Sequence, residues 1–380
     1  MSPASPGSLA PRRAFIGALL ILLPACGNVD SAGQVAWNPL LPGPWPVGVT
    51  RIVLVDPVRD RPLLTEIWYP AAAEVRGQPA SPLTDFVDPA VAGLLAQSTV
   101  PLVAVRDAAF SSDGPFPLIA FSHGNGGVRF QNTFQVERLA SHGFVVAAPD
   151  HTGNTLFDLG ADPQSAQNRP LDISFLFDAM TAATAVPGGA FAGWIDARIP
   201  FGVTGHSFGS FTSLAVASVD RRVGAAVPMA APGPVSPAYS APTLLMLAGE
   251  DKTIGESLNQ GIREVYRVLP GPRFLVEIPD AGHYSFTIAC LTGTGLGDDD
   301  GCGEGSRFGT GEPFGFTPAE QVWAVTNAYS VALFGRYLKG IESYDEALAT
   351  DLYPEIARLT SDPRPELSLL APPGRALSSH

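Results

Sequence analysis

Short apolar segments alternate with longer helical segments over much of this 380-residue chain, and this alternation is the feature that most limits its fold. Strands and helices are both predicted from their spacing of apolar residues and from the turn residues between them. The predicted strands of this region are Pro117–Ser122, Phe144–Ala148, Ile199–Thr204, Val223–Met229, Thr243–Ala248 and Arg273–Ile278. The predicted helices are Phe130–Ser141, Leu171–Ala185, Phe208–Ser218, Ser257–Val268 and Ala319–Leu338. This order predicts an α/β fold with a mainly parallel central sheet flanked by helices.

The segment before this alternation is expected to begin the same domain. Two strands, Thr50–Val55 and Leu63–Tyr69, are separated by turn residues and predict an antiparallel start. Residues 71–113 are irregular, with a helical patch around Pro89–Gln97. Because 46% of the residues are hydrophobic, the chain can bury a large core, and we expect one domain over residues 48–362.

A serine between two glycines follows the strand Ile199–Thr204, in Gly205-His206-Ser207-Phe208-Gly209. Functional groups in such sheets lie beyond the carboxyl ends of the strands. A tight strand–turn–helix connection needs small neighbours, and it lifts the serine hydroxyl above the sheet towards a helix N-terminus. Ser207 is therefore predicted to be a nucleophile; the alternative is a serine that only caps the helix.

A serine nucleophile needs a base, and the six histidines are the candidates. His283 follows the last strand of the series and is the predicted base, with His151 as the alternative. The side chain of His206 is expected to point away from the site, and His142 is interpreted as structural. His380 is the last residue.

The acid that orients the base is expected after the strand Thr243–Ala248. Glu250 and Asp251 both stand there, and Asp251 is preferred. Asp280 is close to His283 in sequence and is interpreted as a turn residue.

The oxyanion hole requires two backbone N–H groups that point at one position. The N–H of Phe208 and that of Asn125, in the glycine-rich loop His123-Gly124-Asn125-Gly126-Gly127, are predicted to supply them. His123, His151 and Tyr284 are predicted to line the substrate pocket.

These residues resemble the platelet-activating-factor acetylhydrolase family, within the α/β-hydrolase superfamily. The similar stretches are F-S-H-G-N-G-G-V-R at 121–129, L-A-S-H-G-F-V-V-A-A at 139–148, G-H-S-F-G at 205–209 and H-Y-S-F at 283–286. The resemblance implies an α/β-hydrolase catalytic domain and a calcium-independent serine esterase without a cofactor, acting on short or oxidised acyl groups. It supports Ser207 and His283 as nucleophile and base, and Asn125 and Phe208 as oxyanion donors.

The chain departs from this family in the position of its acid. The mammalian enzymes carry it after the strand that follows the nucleophile helix, where this chain reads V-P-M-A-A at 227–231 without a carboxylate. The acid is therefore expected one strand later, at Asp251, as in dienelactone-hydrolase-like relatives. This departure argues against a phospholipid substrate more than it argues against serine esterase chemistry.

The first 25 residues are predicted to be an export signal. Arg12-Arg13 precede about ten apolar residues, too few to span a bilayer, which needs roughly 20. Cys26 follows Leu-Pro-Ala, which resembles a bacterial lipobox, and is the predicted site of lipidation. The expected product is a membrane-anchored lipoprotein, periplasmic or on the cell surface, with a tether over residues 26–47 and a loose tail over residues 363–380. An ordinary cleaved signal is the alternative.

Export implies an oxidising compartment, so Cys290 and Cys302 are predicted to form a disulfide that closes a Gly/Asp-rich loop. The Asp298-Asp299-Asp300 run in this loop is interpreted as solvated, and no metal is expected. The net charge of −13 disfavours nucleic acid as a partner.

The sequence therefore predicts a serine ester hydrolase acting on short-chain or phospholipid-type esters. A non-catalytic ligand-binding lipoprotein remains an alternative, as does an amidase or peptidase with the same machinery.

Overall fold

The computed structural model describes residues 38–158 and 162–363, and the backbone of two short strands before them. Those strands, Asn28–Val29 and Val35–Ala36, pair with each other antiparallel. The predicted export signal, Cys26 and the tail beyond residue 363 lie outside the described residues. One compact unit begins at Asn38.

The centre of this unit is a single ten-stranded sheet. Its strands are β1 (Val47–Asp56), β2 (Arg61–Pro70), β3 (Val105–Arg106), β4 (Leu118–Ser122), β5 (Val145–Pro149), β6 (Phe201–His206), β7 (Val223–Met229), β8 (Thr243–Ala248), β9 (Arg273–Ile278) and β10 (Arg358–Asp362). They lie in the order β10-β9-β8-β7-β6-β4-β5-β2-β1-β3. The strands β4 to β9 are parallel to one another, whereas β2 and β10 run antiparallel to their neighbours β5 and β9.

Helices connect these strands as the alternation predicts. They are α1 (Thr133–Ser141), α2 (Ser165–Thr184), α3 (Phe208–Val219), α4 (Gly255–Val268), α5 (Ala319–Lys339) and the short α6 (Tyr344–Ala347). Single 3-10 turns stand at Ala73–Val75, Leu83–Phe86, Ala92–Leu95, His283–Phe286 and Ala289–Leu291. The mainly parallel sheet with flanking helices confirms the predicted α/β-hydrolase fold.

Most residues of the parallel strands are buried, because helices cover the sheet. All residues of β4, β5, β6 and β8 are buried, and these strands are correspondingly apolar. By contrast, β1 alternates buried and exposed residues in its second half, as expected for a strand near the sheet edge. Burial thus fixes the register of the central strands and with it the positions of their carboxyl ends.

The last residues of the predicted tether contact the domain instead of hanging free. The Trp45 N–H donates to the carbonyl of Ser141, and its indole donates to Asp113. The Trp45 ring also packs edge-on against Phe116. In the structure, the compact domain therefore includes Trp45, before the predicted boundary at residue 48.

The structure contains a short β-hairpin that the sequence analysis did not predict. Strands Glu304–Ser306 and Pro313–Gly315 pair antiparallel, after the segment between the two cysteines. Among the helices that the structure describes, none is both long enough and apolar enough to cross a bilayer.

Candidate active site

Ser207 occupies the turn between β6 and α3 in a backbone conformation that side chains rarely adopt. Its φ is 57° and its ψ is −118°, and its N–H donates to the carbonyl of Met229 on the neighbouring strand. A Cβ at Gly205 would lie 2.5 Å from the carbonyl oxygen of Gly209, and a Cβ at Gly209 would lie 1.8 Å from that of Ser122. The two glycines are required because the backbone segments touch here.

His283 and Asp251 form a buried pair beyond the ends of β9 and β8. The Nδ1 of His283 donates to Oδ2 of Asp251 over 2.7 Å, and the other carboxylate oxygen accepts the Ile254 N–H over 3.0 Å. The exposed fraction is 3% for His283 and 1% for Asp251. Since Nδ1 bonds to the carboxylate, Nε2 is the ring nitrogen left for proton exchange.

The neighbouring carboxylates are directed elsewhere. Glu250 accepts hydrogen bonds from Arg307 and from the Phe308 N–H, and Asp280 accepts from the same arginine. Of the two candidates after β8, only Asp251 therefore contacts His283 in the structure.

His206 is buried beneath the pair and takes part in its support. Its Nε2 donates to the carbonyl of His283 over 2.9 Å, and its Nδ1 accepts from the amide of Gln131 over 2.9 Å. The other end of that amide accepts the Gly124 N–H over 3.1 Å. Burial and the nearby His283 lower the pKa of His206 well below its usual value, which keeps the ring neutral. Gln131 therefore connects, through His206, the glycine-rich loop to the segment that carries the predicted base, residues 282–286 (the base segment).

The glycine-rich loop is fixed by a buried cation that sequence analysis missed. Arg169, on α2, donates to the Ser122 hydroxyl over 3.1 Å, to the His123 carbonyl, and to the side-chain oxygen of Asn154 over 2.9 Å. Asn154 in turn donates to Oδ1 of Asn125 over 2.9 Å.

The same guanidinium lies 4.5 Å from the ring centroid of Phe208. Burial lowers the pKa of Arg169 to about 9, which leaves it charged at neutral pH. One cation therefore contacts both segments that are predicted to supply the oxyanion donors. Nothing in the spacing of residues around Arg169 distinguishes it from a surface arginine of a helix.

His123 and His151 do not line the pocket as predicted, because both are fully buried behind the loop. His123 donates from Nδ1 to the Gly124 carbonyl and accepts the His151 N–H at Nε2. His151 accepts from Ser122 over 2.9 Å and donates to Asp172 over 2.9 Å. This Ser122–His151–Asp172 chain has the bonding order of a catalytic triad, but its members have at most 1% of their surface exposed. It holds the end of β4 in place.

A cavity of about 370 Å³ opens at Ser207 and His283. Asn125 and Tyr284 also line it, so the pocket prediction for Tyr284 agrees with the structure. The remaining wall is mostly apolar, with Val87, Val91, Leu94, Leu95, Val128, Phe130, Leu156, Phe157, Ile288, Ala289 and Leu296. Among the described residues that line this cavity there is no Asp, Glu, Lys or Arg.

The disulfide predicted between Cys290 and Cys302 is present in the structure. The segment that it closes, residues 290–302, carries Thr292, Thr294 and Leu296 to the cavity wall.

The chain is similar to known ester hydrolases. Residues 43–157 match the family model "Platelet-activating factor acetylhydrolase, isoform II", and residues 112–296 match the model "PET hydrolase-like". No curated protein matches the chain. A solved ferulic acid esterase from Streptomyces cinnamoneus is similar, with 26% identity and a TM-score of 0.59, over 79% of this chain and 92% of that one. These matches fit an α/β-hydrolase family similar to platelet-activating-factor acetylhydrolase and dienelactone hydrolase, and they show that the chain is a carboxylic ester hydrolase.

Proposed function

We propose that the chain is a serine esterase in which Ser207, His283 and Asp251 form a catalytic triad. The observation that carries the proposal is the 2.7 Å hydrogen bond from His283 to Asp251. His283 and Ser207 line the same mostly apolar cavity. In this mechanism the Ser207 hydroxyl attacks the ester carbonyl while Nε2 of His283 takes its proton. Asp251 stabilises the resulting imidazolium through its bond to Nδ1.

The backbone N–H groups of Asn125 and Phe208 are the proposed donors to the tetrahedral oxyanion. Phe208 begins α3, so its N–H belongs to the first turn and lies at the positive end of the helix dipole. His283 then protonates the leaving alcohol, and the acyl group stays on Ser207. Water, activated by His283, releases the carboxylic acid and restores the enzyme.

The cavity supports neutral esters with a short or apolar acyl group. Its volume of about 370 Å³ suits a small molecule or one short acyl chain, and its wall offers apolar contacts. A charged headgroup would lose its hydration there without a charged partner, which is costly. Among the esters predicted from the sequence, short-chain esters are therefore favoured over intact phospholipids.

The test is hydrolysis of p-nitrophenyl esters of increasing acyl length by the parent protein and by Ser207→Ala. We expect the parent to turn over short esters and the variant to retain no more than about one part in 10⁴ of kcat, the loss typical of a removed nucleophile. Turnover of matched anilides instead of esters would favour the amidase alternative. A folded parent that hydrolyses no ester and does not react with a fluorophosphonate probe would favour the ligand-binding alternative.

A further inference from the structure

The carboxylate of Asp300 joins the two loops that carry His283 and Asp251. One of its oxygens, Oδ1, accepts the His283 N–H over 2.9 Å and the Lys252 N–H over 3.1 Å. The other, Oδ2, accepts the N–H of Thr253 over 2.9 Å and its hydroxyl over 2.7 Å. Lys252 and Thr253 directly follow Asp251, so a single side chain fixes the backbone beside both members of the pair.

Four hydrogen-bond donors surround the two oxygens of the Asp300 carboxylate. Asp300 has 8% of its surface exposed, and a buried carboxylate is retained only where such donors compensate its desolvation. The neighbouring Asp298 and Asp299 are exposed, in contrast. The acidic run is therefore not a uniform solvated patch, because its third member is a buried hydrogen-bond acceptor.

The backbone around Asp300 is fitted closely to the base segment. Its carbonyl accepts the Tyr284 N–H over 2.9 Å, and the Gly301 carbonyl accepts from the Ser285 hydroxyl over 3.1 Å. A Cβ on Gly282 would lie 2.4 Å from the Asp300 carbonyl carbon. Because these two backbone segments are closely packed, a displacement of the backbone at Asp300 also displaces His283.

The disulfide closes this segment directly beside Asp300. Cys302 is two residues after Asp300, and its N–H donates to the Gly297 carbonyl, which also accepts the Asp300 N–H. The other half of the disulfide, Cys290, follows the base by seven positions in the sequence. The disulfide therefore links the backbone near Asp300 covalently to the residues that follow His283.

We propose that Asp300 is a positioning residue that sets the geometry of the His283–Asp251 pair, and that the Cys290–Cys302 disulfide holds it there. This inference rests on the triad proposed above. Asp300 touches neither the cavity nor the substrate; it acts on the backbone of the groups that do. Its role is thus to keep Nε2 of His283 aligned during proton transfer, where small displacements are costly.

The test compares Asp300→Asn with Asp300→Glu and with Asp299→Asn as the matched control. An amide at position 300 places an NH₂ group against N–H donors, so we expect kcat to fall about ten- to hundredfold while KM stays within about twofold. Asp300→Glu keeps the carboxylate and should recover part of kcat. Asp299 is exposed and has a φ of 64°, which asparagine tolerates, so its variant should match the parent. Equal kcat for Asp300→Asn and the parent would overturn the positioning role, as would a loss confined to KM.

The role of the disulfide is tested by the double variant Cys290→Ala/Cys302→Ala and by reduction of the parent. Both should lower kcat in the same direction as Asp300→Asn, and the reductant should have no further effect on the double variant. Unchanged kcat in the double variant would remove the disulfide from the proposal.

Parallel assays separate this inference from the proposed function. If the parent is active and Ser207→Ala is inactive, an unchanged Asp300→Asn contradicts the positioning role alone. If the parent itself is inactive towards esters and the fluorophosphonate probe, the proposed triad fails, and with it the inference that rests on it.

Discussion

The choice between two adjacent carboxylates depends on the direction of single side chains. Glu250 and Asp251 stand side by side after β8, and the sequence alone prefers Asp251 without excluding Glu250. In the structure Asp251 bonds to His283, while Glu250 is occupied by Arg307 and by the Phe308 N–H. The residue that excludes Glu250 is therefore far away in sequence, and no local pattern could have predicted it.

Asp251→Asn should lower kcat strongly, whereas Glu250→Gln should have little effect on it. An amide at position 251 carries no negative charge to stabilise the imidazolium, and its NH₂ group can hold His283 in the wrong tautomer. In a serine protease triad the same substitution lowers kcat about 10⁴-fold. Ester hydrolysis by the two variants at matched concentration is the measurement. A larger loss in Glu250→Gln than in Asp251→Asn would reverse the assignment.

Apolar elements bounded by turn residues are predictable from the sequence, whereas short or polar elements are not. The strands β7, β8 and β9 have the predicted bounds because each is a short apolar run between turn residues. By contrast, β10 and the hairpin at 304–315 are not predicted. The strand β10 is polar and pairs with β9, which is distant in sequence, and each strand of the hairpin has only three residues. The helix α2 starts at Ser165, before Pro170, where the prediction began it at Leu171.

The early start of α2 has a physical reason that lies outside the helix. Proline weakens a helix interior, and the sequence therefore favours a start after it. However, Arg169 and Asp172 are both bonded to buried groups behind the glycine-rich loop. These tertiary contacts outweigh the local preference, and they also explain why the support of the loop could not be predicted.

The 3-10 turn Ala92–Leu95 provides a test of the cavity as the acyl site. Leu95 lies on the cavity wall, and Leu95→Trp would fill space that a longer acyl chain needs. Each methylene that is excluded should cost about 0.8 kcal/mol of binding, or about fourfold in kcat/KM. We expect the chain-length optimum to move to shorter esters in Leu95→Trp and to longer ones in Leu95→Ala. Identical chain-length profiles for both variants would contradict this location of the acyl group.

At the scale of the whole molecule, buried neutral histidines set how stability depends on pH. Burial lowers the pKa of His142 and His151 to about 4, and it lowers those of His123 and His206 well below the usual value. The unfolded chain therefore binds more protons than the folded one below about pH 6.5. Glu137 acts in the opposite direction, since burial raises its pKa to about 8.

The free energy of unfolding should accordingly fall as the pH is lowered from about 6.5 to about 4. His142 and His151 each contribute on the order of 1–3 kcal/mol to this loss. His123 and His206 act in the same direction, and the four histidines together outweigh one glutamate. Urea unfolding at several pH values across this window measures the effect. Stability that stays constant or rises towards pH 4 would contradict the burial of neutral histidines.

The proposed mechanism requires Ser207 to be the nucleophile, and the site of a covalent adduct tests this directly. The parent protein is treated with a fluorophosphonate and digested, and the modified peptide is identified by mass spectrometry. We expect one adduct, on Ser207, formed together with the loss of esterase activity and absent from Ser207→Ala. An adduct on another residue, or full esterase activity in Ser207→Ala, would contradict it.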